Sequence, residues 1–505
     1  MRGCPGSPCD GWHSRGPRRG TPPNTRANPS PHTTALLRGR RAAQQPGRIR
    51  PDPSGLRYGR GPVKHSRALA STCTCLLLLA ACGRAPEEAG FRHIVLLGID
   101  GLRGDHLGSR GYPRAVSPFL DELAGRSVDF ERAYAGSPRL LTSYASMFTS
   151  LHASEHGLVG FEGRPLDEAA TTLAEVLGRR GFQTAAFLAT RGDWARTGFA
   201  RGFAHVDVPS EVYAEPCRPA AELVDRALEW LAQLDPDVRV FVFIQFADVE
   251  GQRQAPPEHF AGLGREKPDE MVEFALEQHH VPFGFFHYEN KLLLRAFNSY
   301  DVEIRYVDAE IARMYRDLGA MGWGDGTLWV VTSPYGWGLG NHLLHRAARH
   351  VYEAQVRVPL WIHAPGGEFD ALGVQEVVGQ IDLAPTLLEL AGGEAPEPSW
   401  RGRSLVPLLA GDALAPRAVL VQRGPAGVSK TEVGEPWRSD ADLAAIVEQR
   451  WKLIRDSSGA EELYDVTEDP FELDERSGSA AQPEIERLRR LLADRLAEIN
   501  QGPGG

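Results

Sequence analysis

From residue 91 onward, short runs of β-branched and aromatic residues alternate with segments of helical periodicity. Residues 93–99, 239–244 and 327–331 are apolar runs with the length and composition of buried strands. Between them, apolar residues recur at three- and four-residue steps, as in residues 304–318. Strands that alternate with helices predict an α/β domain with a mostly parallel sheet. Such sheets carry their functional sites at the carboxyl ends of the strands.

The composition changes between residues 392 and 398, where a Gly-Gly pair is followed by a Pro-rich stretch. Clusters of this kind are typical of linkers. The chain beyond them has short strand-like runs and an apolar helical stripe in residues 485–499. We therefore assign residues 92–393 to a large domain and residues 400–499 to a smaller one.

Residues 251–300 form a long insertion with mixed aromatic residues and histidines. Long insertions in compact domains commonly form lids or pocket walls. We expect this insertion to lie on the substrate side of the large domain.

The first 62 residues are rich in Arg, Pro and Gly and lack a periodic apolar pattern. A segment of this composition does not bury enough apolar surface to fold. It is either a disordered basic arm or an untranslated leader, with the true start near Val63. We favour the second interpretation, because an export signal works only near an amino terminus.

Residues 63–82 have the order of a bacterial lipoprotein signal peptide. Lys64 and Arg67 form a basic start, and an apolar run over 68–81 leads to a Leu-Ala-Ala-Cys lipobox that ends at Cys82. The run is shorter than the roughly 20 residues that span a bilayer. The alternative is a buried core segment with a chance cysteine. We expect lipidation of Cys82, which would attach the protein to a membrane of the bacterial cell envelope, facing the periplasm or the surface.

Cysteine usage and charge narrow the function further. After cleavage the mature chain keeps only Cys82 and Cys217, so acylation of Cys82 leaves no pair for a disulfide. The net charge of -10 argues against a protein that coats polyanions. We therefore expect no nucleic-acid partner.

A collinear series of short motifs runs from about residue 92 to residue 498. It begins with GIDGLRGDHLG at 98–108 and continues with YDVEIRYVD at 300–308, RVPL at 357–360 and DLAPTLL at 382–388. The series resembles the sulfatase family within the alkaline phosphatase superfamily. The resemblance implies a large mixed, mostly parallel sheet sandwiched by helices, and a smaller C-terminal domain with an antiparallel sheet and a helix.

The resemblance also implies a mechanism. Members of this family hydrolyse sulfate esters with a formylglycine, formed from Cys or Ser, and with a bound calcium ion. A hydrated aldehyde is a good nucleophile, and a divalent cation neutralises the charge that develops on the sulfate. Calcium takes about six to eight oxygen ligands, so the family's site needs several carboxylates.

One metal-ligand position of the family is retained and the others are substituted. Asp100 follows the first strand, as the resemblance requires, but Gly101 stands where the family has Asp, Thr, Ser or Cys. The second metal segment is usually D-H-G or D-N-G, and here it contains Pro334 and Tyr335. Proline has no side-chain oxygen, and a neutral tyrosine is a poor calcium ligand.

The nucleophile position is also substituted. A gapless alignment places Leu140 at the nucleophile and Tyr144 at the motif's Arg or His. Leucine has no nucleophilic atom and cannot be converted to formylglycine. A shift in register would be needed to bring the hydroxyl of Ser137 or Thr142 to this position.

The middle strand has lost two imidazoles. Gln245, Asp248 and Glu250 occupy the stretch where relatives carry H-x-x-D-x-H, so only Asp248 persists. Without calcium, a full ring of carboxylates would repel one another in a partly buried pocket. A lone Asp100 can remain there if backbone amides bind it or if its pKa is raised. We therefore expect no cofactor, because the positions that serve calcium and formylglycine in the family are substituted.

Other polar residues near these positions could bind an anion. Arg139 adjoins the nucleophile position, and His342 and His345 follow a Gly-rich turn. With Asp248, these are the candidate catalytic or anion-binding side chains. The alternative is that Arg and His are only solvated in an Arg-rich protein.

Three functions compete. The favoured one is an exported lipoprotein of the sulfatase fold, with impaired or absent hydrolysis, that binds a sulfated or other anionic ligand. The second is an active sulfuric-ester or phosphoester hydrolase with a rearranged site around Asp100, Asp248, His342 and His345. The third is a structural envelope protein, because a fold does not determine a function.

Overall fold

A computed structural model gives the fold of the chain. It describes residues 90–158, 165–190, 194, 197–209, 217–250, 255–261, 263, 286–339, 341–343, 350–393, 397–424, 441–478 and 482–500. The leader, the signal segment with Cys82, His345 and most of the insertion lie outside these residues. Contacts divide the chain into Met1–Ala81 and Cys82–Gly505, and only the second unit contains described residues.

The described strands, in chain order, are β1 His93–Ile99, β2 Val128–Phe130, β3 Ala133–Tyr134, β4 Gln183–Leu188, β5 His205–Asp207, β6 Val240–Phe246, β7 Thr327–Thr332, β8 Arg357–Val358, β9 Leu360–His363, β10 Leu372–Val374, β11 Val378–Gly379, β12 Val419–Arg423, β13 Leu443–Glu448, β14 Trp451–Asp456 and β15 Glu461–Asp465.

The described α-helices are α1 Pro118–Ala124, α2 Leu140–Thr149, α3 Ala153–His156, α4 Leu173–Arg179, α5 Ala220–Leu231, α6 Phe286–Ala320, α7 Glu353–Val356, α8 Leu383–Leu390, α9 Val406–Leu409 and α10 Gln482–Asn500.

A large mixed sheet has the strand order β10-β2-β9-β7-β1-β6-β4-β5. The central strands β7, β1, β6, β4 and β5 are parallel, while β9 runs antiparallel to both of its neighbours. The predicted fold class, a mostly parallel mixed sheet, is confirmed. The sequence predicts the central strands well because buried parallel strands are continuous apolar runs.

Helices cover both faces of this sheet. Successive side chains of a strand point to opposite faces, and β1 follows this rule. Val95, Leu97 and Ile99 pack in a core with residues of α1, α5 and α6. Ile94 and Leu96 pack in a second core with residues of α2, α4 and α8. The sheet is therefore buried on both sides, and its functional edge is the one at the carboxyl ends of the strands.

Part of the long insertion belongs to a regular element. Helix α6 begins at Phe286, so the last residues of the predicted insertion, 286–300, are the first turns of a helix. The expected position of the insertion on the substrate side stays a prediction, because most of its residues lie outside the described ones. The aromatic residues of that stretch hid the helical periodicity that is plain in residues 304–318.

The C-terminal part is a four-stranded antiparallel sheet in the order β12-β13-β14-β15. Helix α10 packs on it through Ile485, Leu488 and Leu492. Trp400, Leu405 and the apolar residues of α9 instead pack in the core of the large sheet. Among the described residues, no helix is long and apolar enough to cross a membrane.

Candidate functional site

The site predicted from the sequence lies at the carboxyl edge of the central strands. Strand β1 pairs in parallel with β6 and β7, and Ile99 lies opposite Phe246 while Gly98 lies opposite Thr332. The backbone N–H of Asp100 donates to the carbonyl of Phe246 at 2.8 Å. Asp100 therefore lies at the same edge as the residues that follow β6 and β7.

Both carboxylate oxygens of Asp100 accept hydrogen bonds from side chains. The hydroxyl of Tyr144 donates to Oδ1 at 2.7 Å, and Nε2 of Gln245 donates to Oδ2. Asp100 is fully buried. Burial raises its pKa well above the ordinary value and nearby Glu250 adds to the rise, although the two hydrogen bonds oppose it. The carboxyl group at the position where the alignment expects a metal ligand thus has both oxygens bonded by side chains of the chain.

Tyr144 reaches Asp100 because Gly98 leaves room for its ring. A Cβ atom at Gly98 would lie 2.2 Å from the Tyr144 hydroxyl oxygen. The ring packs against Phe243 at a centroid distance of 5.1 Å and against Trp194 at 5.9 Å. The alignment places Tyr144 at the position of the motif's Arg or His and does not predict its contact with Asp100. The glycine inside an otherwise apolar strand is the sequence signal of a close approach.

The nucleophile position lies at the beginning of α2. Leu140 is the first residue of the helix and packs, partly buried, against the core beneath the sheet. Arg139 precedes it, is largely buried, and its Nη2 donates to the carbonyl of Gly424 at 3.2 Å. Arg139 therefore contacts the residue that follows β12.

The second metal segment is held close to Gly101. Gly101 and Gly336 form a parallel β-bridge, and the Ser333 hydroxyl donates to the carbonyl of Tyr335 at 2.6 Å. Pro334 and Tyr335 are both buried. A Cβ at Gly336 would lie 2.0 Å from the carbonyl oxygen of Ala354. The backbone geometry of this segment thus requires the glycine, whatever the two residues before it.

Asp248 caps a helix. Its Oδ1 accepts from the N–H of Ala220, the first residue of α5, at 3.1 Å, and a carboxylate is favoured at a helix amino terminus. Burial, with the nearby charge of Glu303, raises the pKa of Asp248 to about 7. The structure thus gives Asp248 a local structural role at the start of α5.

His342 lies beneath the C-terminal part of the chain. Its Nε2 donates to the carbonyl of Phe471 at 3.0 Å, and its ring stacks on Tyr352 at a centroid distance of 3.8 Å. Burial lowers its pKa to about 4, so the ring is neutral at pH 7. The hydrogen bonds given above for His342, Asp248 and Arg139 go to three different partners. The charge of Asp248 also acts on Asp100, where it adds to the rise of the pKa.

The residues at the family's metal positions do not fit calcium. Asp100 already accepts two side-chain hydrogen bonds, and Gly101, Pro334 and Tyr335 supply no carboxylate. Within the described residues, no group of three or more His, Cys, Asp or Glu side chains is placed to hold a metal ion. Formylglycine fits no better, because Leu140 cannot be its precursor. We therefore derive no catalytic step through either group.

The large mixed sheet, with helices on both faces and an aspartate after its first strand, defines the α/β architecture of the alkaline phosphatase superfamily. A family model described as sulfatase matches residues 92–393. The chain belongs to the sulfatase family.

Relatives and solved structures support this assignment over most of the chain. An arylsulfatase of Clostridium perfringens is 24% identical over 475 residues, which cover 81% of this chain and 95% of that protein. A Delta 4,5-hexuronate-2-O-sulfatase of Bacteroides thetaiotaomicron is 22% identical, and the match covers 82% of this chain and 91% of that protein. The phosphonate monoester hydrolase of Agrobacterium radiobacter has the same fold, with a TM-score of 0.63 and 22% sequence identity. The match covers 81% of this chain and 95% of that one.

Proposed function

We propose that this sulfatase-family protein has lost, or nearly lost, ester hydrolysis and acts by binding a sulfated or other anionic ligand. The main support for this proposal is that both carboxylate oxygens of Asp100 already accept hydrogen bonds, from Tyr144 and from Gln245. A metal ion would have to displace both donors, and the substituted neighbours would offer it no further carboxylate.

Titration calorimetry of calcium into the chelator-treated, full-length protein tests the loss of hydrolysis. We expect no binding at millimolar calcium, and no turnover of an aryl sulfate or a phosphonate monoester. Tight one-to-one binding would mean that other residues have rebuilt the ligand set, and it would contradict the proposal. A Tyr144→Phe variant removes one of the two donors to Asp100. If this variant binds calcium, the hydroxyl of Tyr144 had blocked the site; if it does not, the ligands themselves are missing.

The second candidate function is an active hydrolase with a rearranged site. The names of the relatives favour it, because they are sulfatases and a phosphonate monoester hydrolase. The contacts of Asp248 and His342 oppose it, since a helix amino terminus and a backbone carbonyl already occupy these side chains. Turnover in the calcium experiment would favour this candidate over a binding role.

We propose that the protein is localised in the bacterial cell envelope, with the lipid on Cys82 as its membrane anchor. The order of basic, apolar and small residues before Cys82 supports it. We expect mass spectrometry of the native amino terminus to find a diacylated or triacylated Cys82. A native peptide that begins before Val63 would contradict the start site that this proposal assumes.

A further inference from the structure

Gly90 and Phe91 lie at the amino edge of the large sheet, just before β1. The backbone N–H of Phe91 donates to the carbonyl of Leu390, the last residue of α8, at 2.7 Å. At Gly90 the backbone approaches the segment after α8 so closely that a Cβ would lie 2.4 Å from the nitrogen of Gly392. The chain therefore enters the domain at a fixed point.

The same edge of the sheet carries the loops that lead into β6 and β7. Val240 and Thr327, at the start of these strands, both lie opposite His93 at the start of β1. From His93 to Ile99, β1 extends over about 20 Å, at about 3.3 Å per residue. Asp100 and the segments that follow β6 and β7 therefore lie at the opposite edge from the entry point of the chain.

A lipid on Cys82 would connect this entry point to a bilayer by a short link. Eight peptide steps separate Cys82 from Gly90, and eight fully extended residues span at most about 29 Å. A compact chain of about 400 residues has a radius of gyration of about 21 Å, which corresponds to a sphere about 55 Å across. With the carboxyl edge against the bilayer, Gly90 would lie nearly twice as far from the membrane as the link can reach. A sideways position would need the link almost fully extended.

The exposed charges around the entry point are of both signs. Asp235 and Asp237 precede β6, Asp325 precedes β7, and all three are exposed. Nη1 of Arg92 lies 3.7 Å from Oδ1 of Asp237. Anionic lipids attract clusters of Lys and Arg, so this mixture of charges adds little attraction to a membrane. The length of the link, rather than electrostatic adhesion, limits how the domain can stand on the bilayer.

We propose that the lipid on Cys82 holds the amino edge of the large sheet toward the bilayer and the carboxyl edge, with Asp100, away from it. The inference rests on the lipid anchor proposed above. Its consequence for function is that a ligand reaches the carboxyl edge from the aqueous phase. The head group of a lipid in the same leaflet lies on the wrong side of the molecule to be that ligand.

Energy transfer from a label on the protein to the membrane surface measures this orientation. The full-length protein, expressed with its own signal segment, is reconstituted in phosphatidylcholine vesicles that carry a fluorescent acceptor on some head groups. Donor labels are attached at Asp325→Cys, two residues before β7, or at Gly104→Cys, four residues after Asp100. Residue 325 is exposed, and a Cβ at residue 104 meets nothing within 4 Å. Cys217→Ala in both variants restricts the label to the introduced cysteine.

We expect the transfer efficiency from position 325 to be at least twice that from position 104, and to be the same at low and at high salt. Two controls separate the link from other causes. Insertion of a Gly-Ser segment of about 20 residues between Glu87 and Glu88 lets the domain turn, so that the two positions should transfer equally. Cys82→Ser removes the site of the lipid and should abolish transfer from both positions.

The outcomes distinguish the orientation from the anchor. Equal transfer from both positions with the original link, or more from position 104, would overturn the orientation while the anchor stands. No transfer from either position, in protein whose circular dichroism shows that it is folded, would mean that Cys82 carries no lipid, and the anchor and the orientation would both be wrong. A difference that persists after the Gly-Ser insertion would overturn the role of the link, because another contact would then hold the molecule.

Discussion

Asp100 is a buried carboxyl group whose neutral form the structure favours. Burial and nearby Glu250 raise its pKa above the ordinary value, so the folded chain holds the proton more tightly than the unfolded chain does. Folding is then favoured by this group at low pH. The contribution is lost as the pH rises from the unfolded pKa, near 3.9, through the folded pKa.

We therefore expect Asp100→Asn to change how stability depends on pH. The quantity to compare is the free energy of unfolding of the unaltered protein minus that of the variant. This difference should be smaller at pH 8 than at pH 4.5, by about 1.4 kcal/mol for each unit by which the pKa is raised. Urea unfolding at the two pH values measures this difference. Asp412→Asn is the control, because residue 412 is exposed. If the stability difference for Asp100→Asn depends on pH no more than that for the control, the raised pKa of Asp100 is contradicted.

At the scale of elements, the contact between β1 and α2 depends on one glycine. A Cβ at Gly98 would lie 2.2 Å from the hydroxyl oxygen of Tyr144 and 2.9 Å from its ring carbons. Since the ring is packed among Phe243 and Trp194, it cannot move away freely. The identity of residue 98 and that of residue 144 are thus coupled through packing.

Gly98→Ala should lower the free energy of unfolding by about 1–3 kcal/mol, as overpacking of a dense core does. In a Tyr144→Ala background the same substitution should cost at least about 1 kcal/mol less, because the clashing atoms are absent. A double-mutant cycle by urea unfolding measures this coupling. Gly104→Ala, where a Cβ meets nothing within 4 Å, is the control, and additive costs at 98 and 144 would disprove the coupling.

At the scale of the whole molecule, a buried lysine joins the C-terminal sheet to the rest of the chain. Lys452 of β14 is fully buried, and its Nζ lies 3.0 Å from Oε1 of Glu353 in α7 and 2.8 Å from Oε1 of Glu472. The hydroxyl of Tyr134 donates to Glu353 at 2.9 Å. Burial works to lower the pKa of Lys452, but the two carboxylates outweigh it and the pKa is raised.

Lys452→Met should destabilise the protein by about 3–5 kcal/mol, because two buried carboxylates lose their counter-charge. The triple variant Lys452→Met with Glu353→Gln and Glu472→Gln should recover part of this loss, since it removes the uncompensated charges as well. Thermal and urea unfolding measure both. A triple variant that is no more stable than the single one would show that the ion pairs are not what the lysine contributes.

The sequence by itself determined the large sheet, the C-terminal sheet and helix, and the family, because these depend on local periodicity and on short motifs in a fixed order. The alignment of Asp100 with a metal-ligand position, and of Gly101, Leu140, Pro334 and Tyr335 with substituted positions, rests on the sequence alone and stays a prediction. Each of these assignments needs only the position of a residue relative to its own strand or helix.

Only the tertiary structure decided which side chains meet. Of the two expectations for Asp100, the raised pKa agrees with its burial. The other, bonding by backbone amides, did not foresee the side-chain donors Tyr144 and Gln245, which come from α2 and β6. His342 donates a hydrogen bond to the carbonyl of Phe471 in the C-terminal part, and Asp248 accepts one from the backbone at the start of α5. Periodicity fixes which face of an element is buried, but the partner on that face belongs to a segment distant in sequence. Its identity depends on how helices and sheets pack together, which no local pattern encodes.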